Sequence, residues 1–327
     1  MKDFFIADAP RFDNAVVTSF FVLSSFQLRE RRQGGGQFLT VTLTDKTGSM
    51  PAVMWDDFAD AIAPCTEGCY VKAQGQITRY QNQFQMALQR LRFAAESEID
   101  PTDYLPVSRF DIEEMWNELR GYVSNFSNDD LRRLVFAFLD DPEIAAAYRA
   151  APAAKMLHHA WIGGLLEHVV TLVRVCLANA PFYPEVDPDL LVTGAILHDI
   201  GKVRELYWKS SFGYTLEGQL VGHISIAQGM LQEKVRALAP FPERLRLLVE
   251  HMILSHHGKY EFGSPKLPMT PEAILLNTLD DLEAKMQTLR NAFAAAEVQG
   301  KGSDEVTEWV RSMERPLFNS RKYLKGE

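Results

Sequence analysis

Cysteine and long unbroken hydrophobic stretches are scarce in this chain of 327 residues. The chain has three cysteines, Cys65, Cys69 and Cys176. A count that is both low and odd argues against a disulfide framework and fits a reducing compartment. Charged residues interrupt every apolar stretch within about a dozen residues, which is too short for a membrane-spanning helix. The first residues lack the apolar run of a secretory signal. We therefore expect a cytoplasmic protein that does not bind a membrane.

Positive charge is also in the minority, because 34 Lys and Arg residues face 43 Asp and Glu residues, for a net charge of −9. This balance argues against a general affinity for polyanions, although a local basic path can still bind nucleic acid. The acidic excess is uneven, at −2 for residues 1–100 and −7 for residues 101–327. A bound cation would offset part of the second figure.

Alternation of polar and apolar residues predicts β-structure in the first 95 residues. Leu39, Val41 and Leu43 fall on one face of a strand, with Thr40 and Thr42 on the other. The predicted strands are 14–23, 38–44, 49–55, 71–78 and 84–88, with a helix near 57–63 between the third and the fourth. Five short strands in this arrangement fit a small Greek-key barrel of the OB type.

The chain changes character after the barrel, because residues 96–110 contain two prolines and several acids without periodicity. We interpret them as a linker. All of the following chain is predicted to be helical, with helices at 111–122, 128–139, 160–178, 189–206, 223–238, 242–256 and 271–295. The sequence therefore predicts a multidomain α+β fold: a barrel over 1–95, a linker over 96–110, a connecting helical region over 111–155 and an all-α domain over 156–327.

Histidine is absent from the first 157 residues, and all eight histidines lie between positions 158 and 257. They are His158, His159, His168, His198, His223, His251, His256 and His257. Asp199 follows His198 directly, and Asp280 and Asp281 interrupt a later apolar run, where a carboxylate is costly unless it is paired or bound to metal. A single histidine is more often an ordinary core or surface residue. The combined pattern on helices predicts a metal site inside a bundle.

The residue types narrow the metal and its chemistry. Imidazole and carboxylate ligands without thiolate suit Mn²⁺, Fe²⁺, Co²⁺ or Zn²⁺. The Asp199 carboxylate can bridge two ions, which together generate hydroxide and clamp a phosphate. Lys202 lies one helical turn after Asp199, so its ammonium can face the same cavity and neutralise a phosphate oxygen. A solvated surface lysine is the alternative interpretation of Lys202.

The segments HHAWIGGLLEH, LHDIGK, SHHG, FGSP and DDLEAK resemble the HD-domain superfamily of metal phosphohydrolases. With an OB-type barrel upstream, they look like the YhaM-type 3′→5′ exoribonuclease family. The implied ligands are His168, His198, Asp199 and Asp280 around one ion, and Asp199, His223 and one or both of His256 and His257 around a second. Asp281 is the alternative to Asp280.

The same resemblance implies the activity. It implies hydrolysis of single-stranded RNA from its 3′ end with two divalent ions, Mn²⁺ favoured, and it leaves single-stranded DNA open as a second substrate. Asp199 and Lys202 are the catalytic candidates. Two other functions stay open: a phosphodiesterase or phosphohydrolase of small or cyclic nucleotides, and a nucleic-acid-binding module whose HD domain is structural. Assembly into a homo-oligomer is also left open.

The barrel has its own candidates for binding a single strand, which OB folds hold through basic grooves and stacked aromatics. Arg29, Arg31 and Arg32 precede three glycines and predict a basic loop beside the usual oligonucleotide face. Phe38 and Trp55 are stacking candidates, joined by Tyr80 and Phe84. The alternatives are a solvated turn for the arginines and core positions for the aromatics. In the helical domain, His159 is predicted to contact nucleic acid, with capping of the first ligand helix as its alternative.

Overall fold

The computed structural model describes residues 2–31, 35–81, 83–155, 159–298 and 305–326. Its chain forms two units, one comprising Met1–Val107 with Trp208–Ser211 and the other Ser108–Tyr207 with Phe212–Glu327. The finer domain boundaries expected from the sequence stay predictions.

The first unit is a closed five-stranded barrel. Its strands are β1 (Val16–Glu30), β2 (Gln37–Asp45), β3 (Gly48–Met54), β4 (Tyr70–Tyr80) and β5 (Gln83–Phe93), with α1 (Phe58–Ile62) between β3 and β4. The strand order around the barrel is β1-β2-β3-β5-β4. All neighbours are antiparallel except β3 and β5. The predicted OB-type barrel is confirmed.

Strand β1 is longer than the sequence pattern predicted, because it pairs with two neighbouring strands. Its first part, from Val16, pairs with β4, and its second part, to Glu30, pairs with β2. The register shifts at an irregularity between Leu23 and Ser25. A bulge of this kind bends a strand and increases its twist. The alternation expected for one long strand is therefore broken where the barrel curves.

The barrel core is built from the apolar face predicted for β2. Leu39, Val41 and Leu43 are buried together with residues of every other strand. The buried Lys2 ammonium lies 3.0 Å from the Asp45 carboxylate, and the two charges compensate one another. These contacts hold the five strands around one core.

The second unit is mainly helical, as predicted for an all-α HD domain. Its helices are α2 (Ile112–Ser124), α3 (Asp129–Leu139), α4 (Pro142–Ala150), α5 (Gly164–Asn179), α6 (Pro188–Leu197), α7 (Lys202–Glu205), α8 (Leu216–Val221), α9 (His223–Ala237), α10 (Glu243–Ser255), α11 (Pro271–Val298) and α12 (Ser320–Lys325). Asp111, Asn128, Asp141 and Asp187 accept hydrogen bonds from first-turn backbone N–H groups, which sets the start of α2, α3, α4 and α6.

Helices α5 and α6 pack against each other at the centre of the bundle, and α11 packs against both. Residues 164–182 are long and apolar enough to span a membrane by length and composition alone, but more than half of that window is buried inside the protein. Its apolar character is used for packing in the bundle core.

The single helix predicted over 189–206 is wrong. Helix α6 ends at Leu197 and α7 begins at Lys202, and the turn between them carries His198 and Asp199. Gly201 makes the turn possible, since a Cβ atom there would lie 2.0 Å from the His223 carbonyl oxygen. The all-helical expectation also missed a two-stranded sheet of β6 (Leu206–Trp208) and β7 (Phe212–Tyr214).

Candidate metal centre

Five helices bring the predicted ligands together. His168 lies on α5, and His198 and Asp199 follow the last residue of α6. His223 opens α9, His256 and His257 follow α10, and Asp280 lies on α11. The ends of three helices therefore converge on a centre lined by two helices that pass through the bundle.

The first cluster joins His168, His198 and Asp280. The Nε2 atom of His168 lies 3.2 Å from Asp280 Oδ1 and 3.4 Å from His198 Nε2. His198 Nε2 lies 3.8 Å from the same Asp280 oxygen and 3.2 Å from Asp199 Oδ2. One donor atom from each of the three residues falls within 4.8 Å of the others, so the set can hold a metal ion.

The second cluster joins Asp199, His223, His256 and His257. Asp199 Oδ1 lies 3.5 Å from His223 Nε2 and 3.6 Å from His256 Nε2. Among the described residues, these three buried atoms have no hydrogen-bond partner. Leaving a buried polar group unpaired costs about 1–3 kcal/mol. Three such atoms aimed at one another, with His257 within 4.8 Å of both imidazoles, fit a cation as the partner.

Asp199 connects the two clusters through its separate oxygens. Its Oδ2 atom faces His198 and accepts a 2.6 Å hydrogen bond from Lys202, whereas Oδ1 faces His223 and His256. The carboxylate is buried. This orientation is the one required of a ligand that bridges two ions.

The other ring nitrogen of each candidate histidine is occupied. The Nδ1 acceptors are Glu283 for His168, the Ala195 carbonyl for His198, Glu205 for His223, the Ile253 carbonyl for His256 and the Phe262 carbonyl for His257, at 2.7, 2.9, 3.1, 2.8 and 2.8 Å. Because a carbonyl only accepts, Nδ1 carries the proton and Nε2 keeps its lone pair in His198, His256 and His257. Such bonds orient imidazoles for metal.

The charges around the candidate ligands also favour protonation states that bind metal. Burial raises the pKa of Asp199, but the adjacent Lys202 and His198 outweigh that effect and hold it well below its usual range. Burial lowers the pKa values of His256 and His257, which favours the neutral form that binds metal. Burial also acts to lower the pKa of His168, but Asp280 and Glu283 overcome it and raise that pKa to about 10. A metal ion competes with that proton.

Comparison with known proteins assigns both units to families. A model of the HD domain matches residues 165–285, and a model of the OB-fold nucleic acid binding domain matches residues 25–94. The 3′-5′ exoribonuclease YhaM of Geobacillus sp. (strain WCH70) is 36% identical over 297 residues, which cover 88% of each chain. The protein belongs to the YhaM 3′-5′ exoribonuclease family.

Further YhaM proteins support the assignment. That of Bacillus subtilis (strain 168) is 35% identical and covers 87% of this chain and 88% of its own. The YhaM protein of Bacillus velezensis is 35% identical, and the match covers 92% of this chain and 94% of that protein. Among solved structures, the second OB-fold domain of replication protein A from Methanococcus maripaludis covers 25% of this chain and 85% of its own, at 19% identity and a TM-score of 0.21. That likeness is too weak to carry an argument.

Two further acidic residues of this YhaM family member are candidates that sequence reasoning missed. Glu283 contacts His168 with one carboxylate oxygen and His159 Nε2 with the other, at 2.7 and 2.9 Å. Glu205 accepts from both the backbone N–H and the ring Nδ1 of His223. The spacing of Glu283 from Asp280, three residues along one helix, could have revealed it, since such residues share a face.

His159 requires a correction. The prediction that it contacts nucleic acid does not fit its position, because its side chain is only 1% exposed and is bound to Glu283. The structure places it as a support for Glu283 and, through it, for His168.

The remaining histidines and aspartates considered from the sequence are not placed in either cluster. Asp281 is 57% exposed and pairs with Lys285, so it points away from the cluster that contains Asp280. His251 accepts a hydrogen bond from the Met269 backbone N–H and belongs to neither cluster. His158 lies outside the described residues.

On the barrel, the structure brings Phe38, Trp55 and Arg31 together. The two rings stack with centroids 4.7 Å apart, and the Arg31 guanidinium lies 5.7 Å from the Trp55 ring. Trp55 is 50% exposed. Arg31 also pairs with Asp56 at 2.7 Å, which reduces its free charge.

The other barrel candidates are more scattered. Arg29 is exposed beside Gln27, and Tyr80 is 62% exposed. Phe84 packs against the barrel core, under the Arg79 guanidinium. Arg32 lies outside the described residues.

Asp280→Asn should lower metal affinity, while Asp281→Asn should leave it unchanged, because only Asp280 lies among the imidazoles. We expect a loss of more than ~100-fold in Mn²⁺ affinity for the first variant, beyond what a supporting residue gives. Titration calorimetry on both proteins measures this. Equal affinities would exclude Asp280 as a ligand.

Glu283→Gln should weaken Mn²⁺ binding by about 10- to 100-fold, since it removes the charged acceptor that orients His168. The matched control is Glu272→Gln, a buried glutamate on the same helix that accepts from the Asp187 backbone N–H at 2.9 Å. Calorimetry should show a loss only for the first variant. The same loss in both would indicate a general packing defect instead.

Proposed function

We propose that this chain is a metal-dependent 3′→5′ exoribonuclease that hydrolyses single-stranded RNA at a dinuclear centre. The observation that carries the proposal is the shared Asp199 carboxylate. One of its oxygens faces His198 and Lys202, and the other faces the unpartnered Nε2 atoms of His223 and His256. The relatives named 3′-5′ exoribonuclease support the choice of reaction.

Mn²⁺ is the favoured ion, with Fe²⁺, Co²⁺ or Zn²⁺ as alternatives, because the donor set combines imidazole and carboxylate without thiolate. Asp199, His168, His198 and Asp280 would hold one ion, and Asp199, His223, His256 and His257 the other. When bound, the pair supplies an activated hydroxide and neutralises charge on the phosphate.

The protein groups prepare this chemistry before the substrate arrives. Hydrogen bonds at Nδ1 fix the rings of His198, His256 and His257, so their Nε2 lone pairs face the centre without reorganisation. The Lys202 ammonium lies 2.6 Å from Asp199 Oδ2 and holds that carboxylate ionised. From the same position it places a positive charge beside the reacting phosphate, which stabilises the charge that develops in phosphoryl transfer.

The barrel supplies selectivity for a single strand. The Phe38–Trp55 stack, in which Trp55 is 50% exposed, offers a surface for bases, and the Arg31 guanidinium beside it offers positive charge for phosphates. Stacking on an aromatic side chain is worth about 1–3 kcal/mol per base and requires unpaired bases. Single-stranded DNA presents the same groups, so we include it as a second substrate.

With Mn²⁺ and a 5′-labelled single-stranded RNA, the unmodified chain should give a ladder of products shortened from the 3′ end. Asp199→Ala should reduce the rate by more than ~100-fold, since it removes the ligand common to both clusters. Asp140→Ala, whose side chain is 60% exposed, is the control and should keep full activity.

The same assay includes a cyclic dinucleotide and a nucleoside triphosphate. Turnover of either small nucleotide without any action on RNA would replace the exoribonuclease with a small-nucleotide phosphohydrolase. Binding of RNA without hydrolysis of any substrate would make the HD domain structural.

Trp55→Ala should weaken binding of single-stranded RNA by about 5- to 150-fold, as expected for the loss of one stacked base. Trp55→Phe keeps a ring beside Phe38 and should retain most of the affinity. Phe93, 44% exposed at the end of β5, provides the control Phe93→Ala. Fluorescence anisotropy with a labelled oligonucleotide measures all three, and an unchanged affinity for Trp55→Ala would assign the stack to the barrel structure alone.

A further inference from the structure

The segment that follows the second cluster exposes four large apolar side chains. Its large side chains Tyr260, Phe262, Leu267 and Met269 are 62%, 62%, 42% and 78% exposed. Single exposed apolar residues are ordinary on a soluble protein, but a group of them marks an interaction site. This group begins three residues after the ligand candidate His257.

The segment is also locally basic. Residues 259–269 contain two lysines and one glutamate, whereas residues 101–327 as a whole carry a net charge of −7. The Lys259 ammonium lies 5.3 Å from the centre of the Phe262 ring. Aromatic surface combined with positive charge is the combination that binds a single-stranded nucleic acid, through base stacking and phosphate attraction.

The segment is fixed firmly to the metal centre. The Phe262 carbonyl accepts the 2.8 Å hydrogen bond from His257 Nδ1, and Asn277 donates to the His256 carbonyl at 2.6 Å. Gly258, at φ 76°, turns the chain where a Cβ atom would lie 2.4 Å from the Asn277 side chain. The position of the aromatic pair is thus tied to the orientation of two ligand candidates.

The buried Ser264 anchors the far side of the turn. Its hydroxyl contacts the carbonyl oxygens of Leu254 and Lys266, at 3.1 and 2.8 Å. Rigid backbone beneath exposed aromatic rings favours a preorganised binding surface, because little conformational entropy is lost when a ligand binds.

We propose that Tyr260 and Phe262 form a stacking platform for the terminal nucleobases of the RNA whose phosphate lies at the metal centre. This inference rests on the proposed exoribonuclease function and adds a second base-binding surface to the one on the barrel. The platform acts on the bases and leaves the phosphate to the ligands and Lys202. Its contribution therefore disappears when the terminal nucleotides carry no base.

The test compares an intact RNA oligonucleotide with one whose terminal 3′ nucleotides are abasic, each with Mn²⁺. Phe262→Ala should lower kcat/KM on intact RNA by about 5- to 150-fold and leave the abasic strand nearly unchanged. Phe262→Trp should restore the intact substrate. Phe182→Ala, at a residue 77% exposed on a different turn of the same unit, is the matched control and should change neither.

The possible failures are distinguishable. If the unmodified chain does not cleave intact RNA, the proposed function falls, and this inference falls with it. If that chain cleaves RNA but Phe262→Ala lowers both substrates equally, the effect passes through the His257 contact and the platform is overturned. An unchanged kcat/KM on intact RNA in the variant overturns it as well.

Discussion

The buried carboxylate of Asp199 is the group on which the architecture of the helical unit depends. A buried negative charge is tolerated only with close compensation, and here Lys202, His198, His223 and His256 all approach it. To deliver them, α6 must stop at Leu197, and the turn that follows must pass close to the start of α9. The break in the helix and the close approach at Gly201 follow from the need to bring partners to one carboxylate from several directions.

Much of the molecule could be predicted from the sequence, because its strongest signals are local. Alternation identified the strands of the barrel, and histidines embedded in apolar helices identified a metal-binding bundle. The full length of β1 escaped prediction because a bulge interrupts its pattern. The turn after Leu197 escaped because it depends on the distant His223 backbone, which no periodicity records.

The same distinction between local signals and contacts of distant residues applies to the metal centre. His168 and Asp280 could be proposed from their residue types, since each is costly in an apolar helix without a partner. The role of His159 could not, because its partner Glu283 lies far away in sequence and becomes visible only when α11 packs on α5. Asp280 and Asp281 are equivalent in the sequence, and the packing of one helix leaves the first side chain 20% exposed and the second 57% exposed.

In the proposed function, recognition is separate from reaction: the imidazoles and carboxylates would act on any phosphate ester, while the aromatic surfaces would select single strands. The proposed sharing of Asp199 by two ions is tested most directly by anomalous diffraction from crystals soaked in Mn²⁺. We predict two manganese peaks, one among His168, His198 and Asp280 and one among His223, His256 and His257, both in contact with Asp199. A single peak, or two peaks that do not share Asp199, would contradict it.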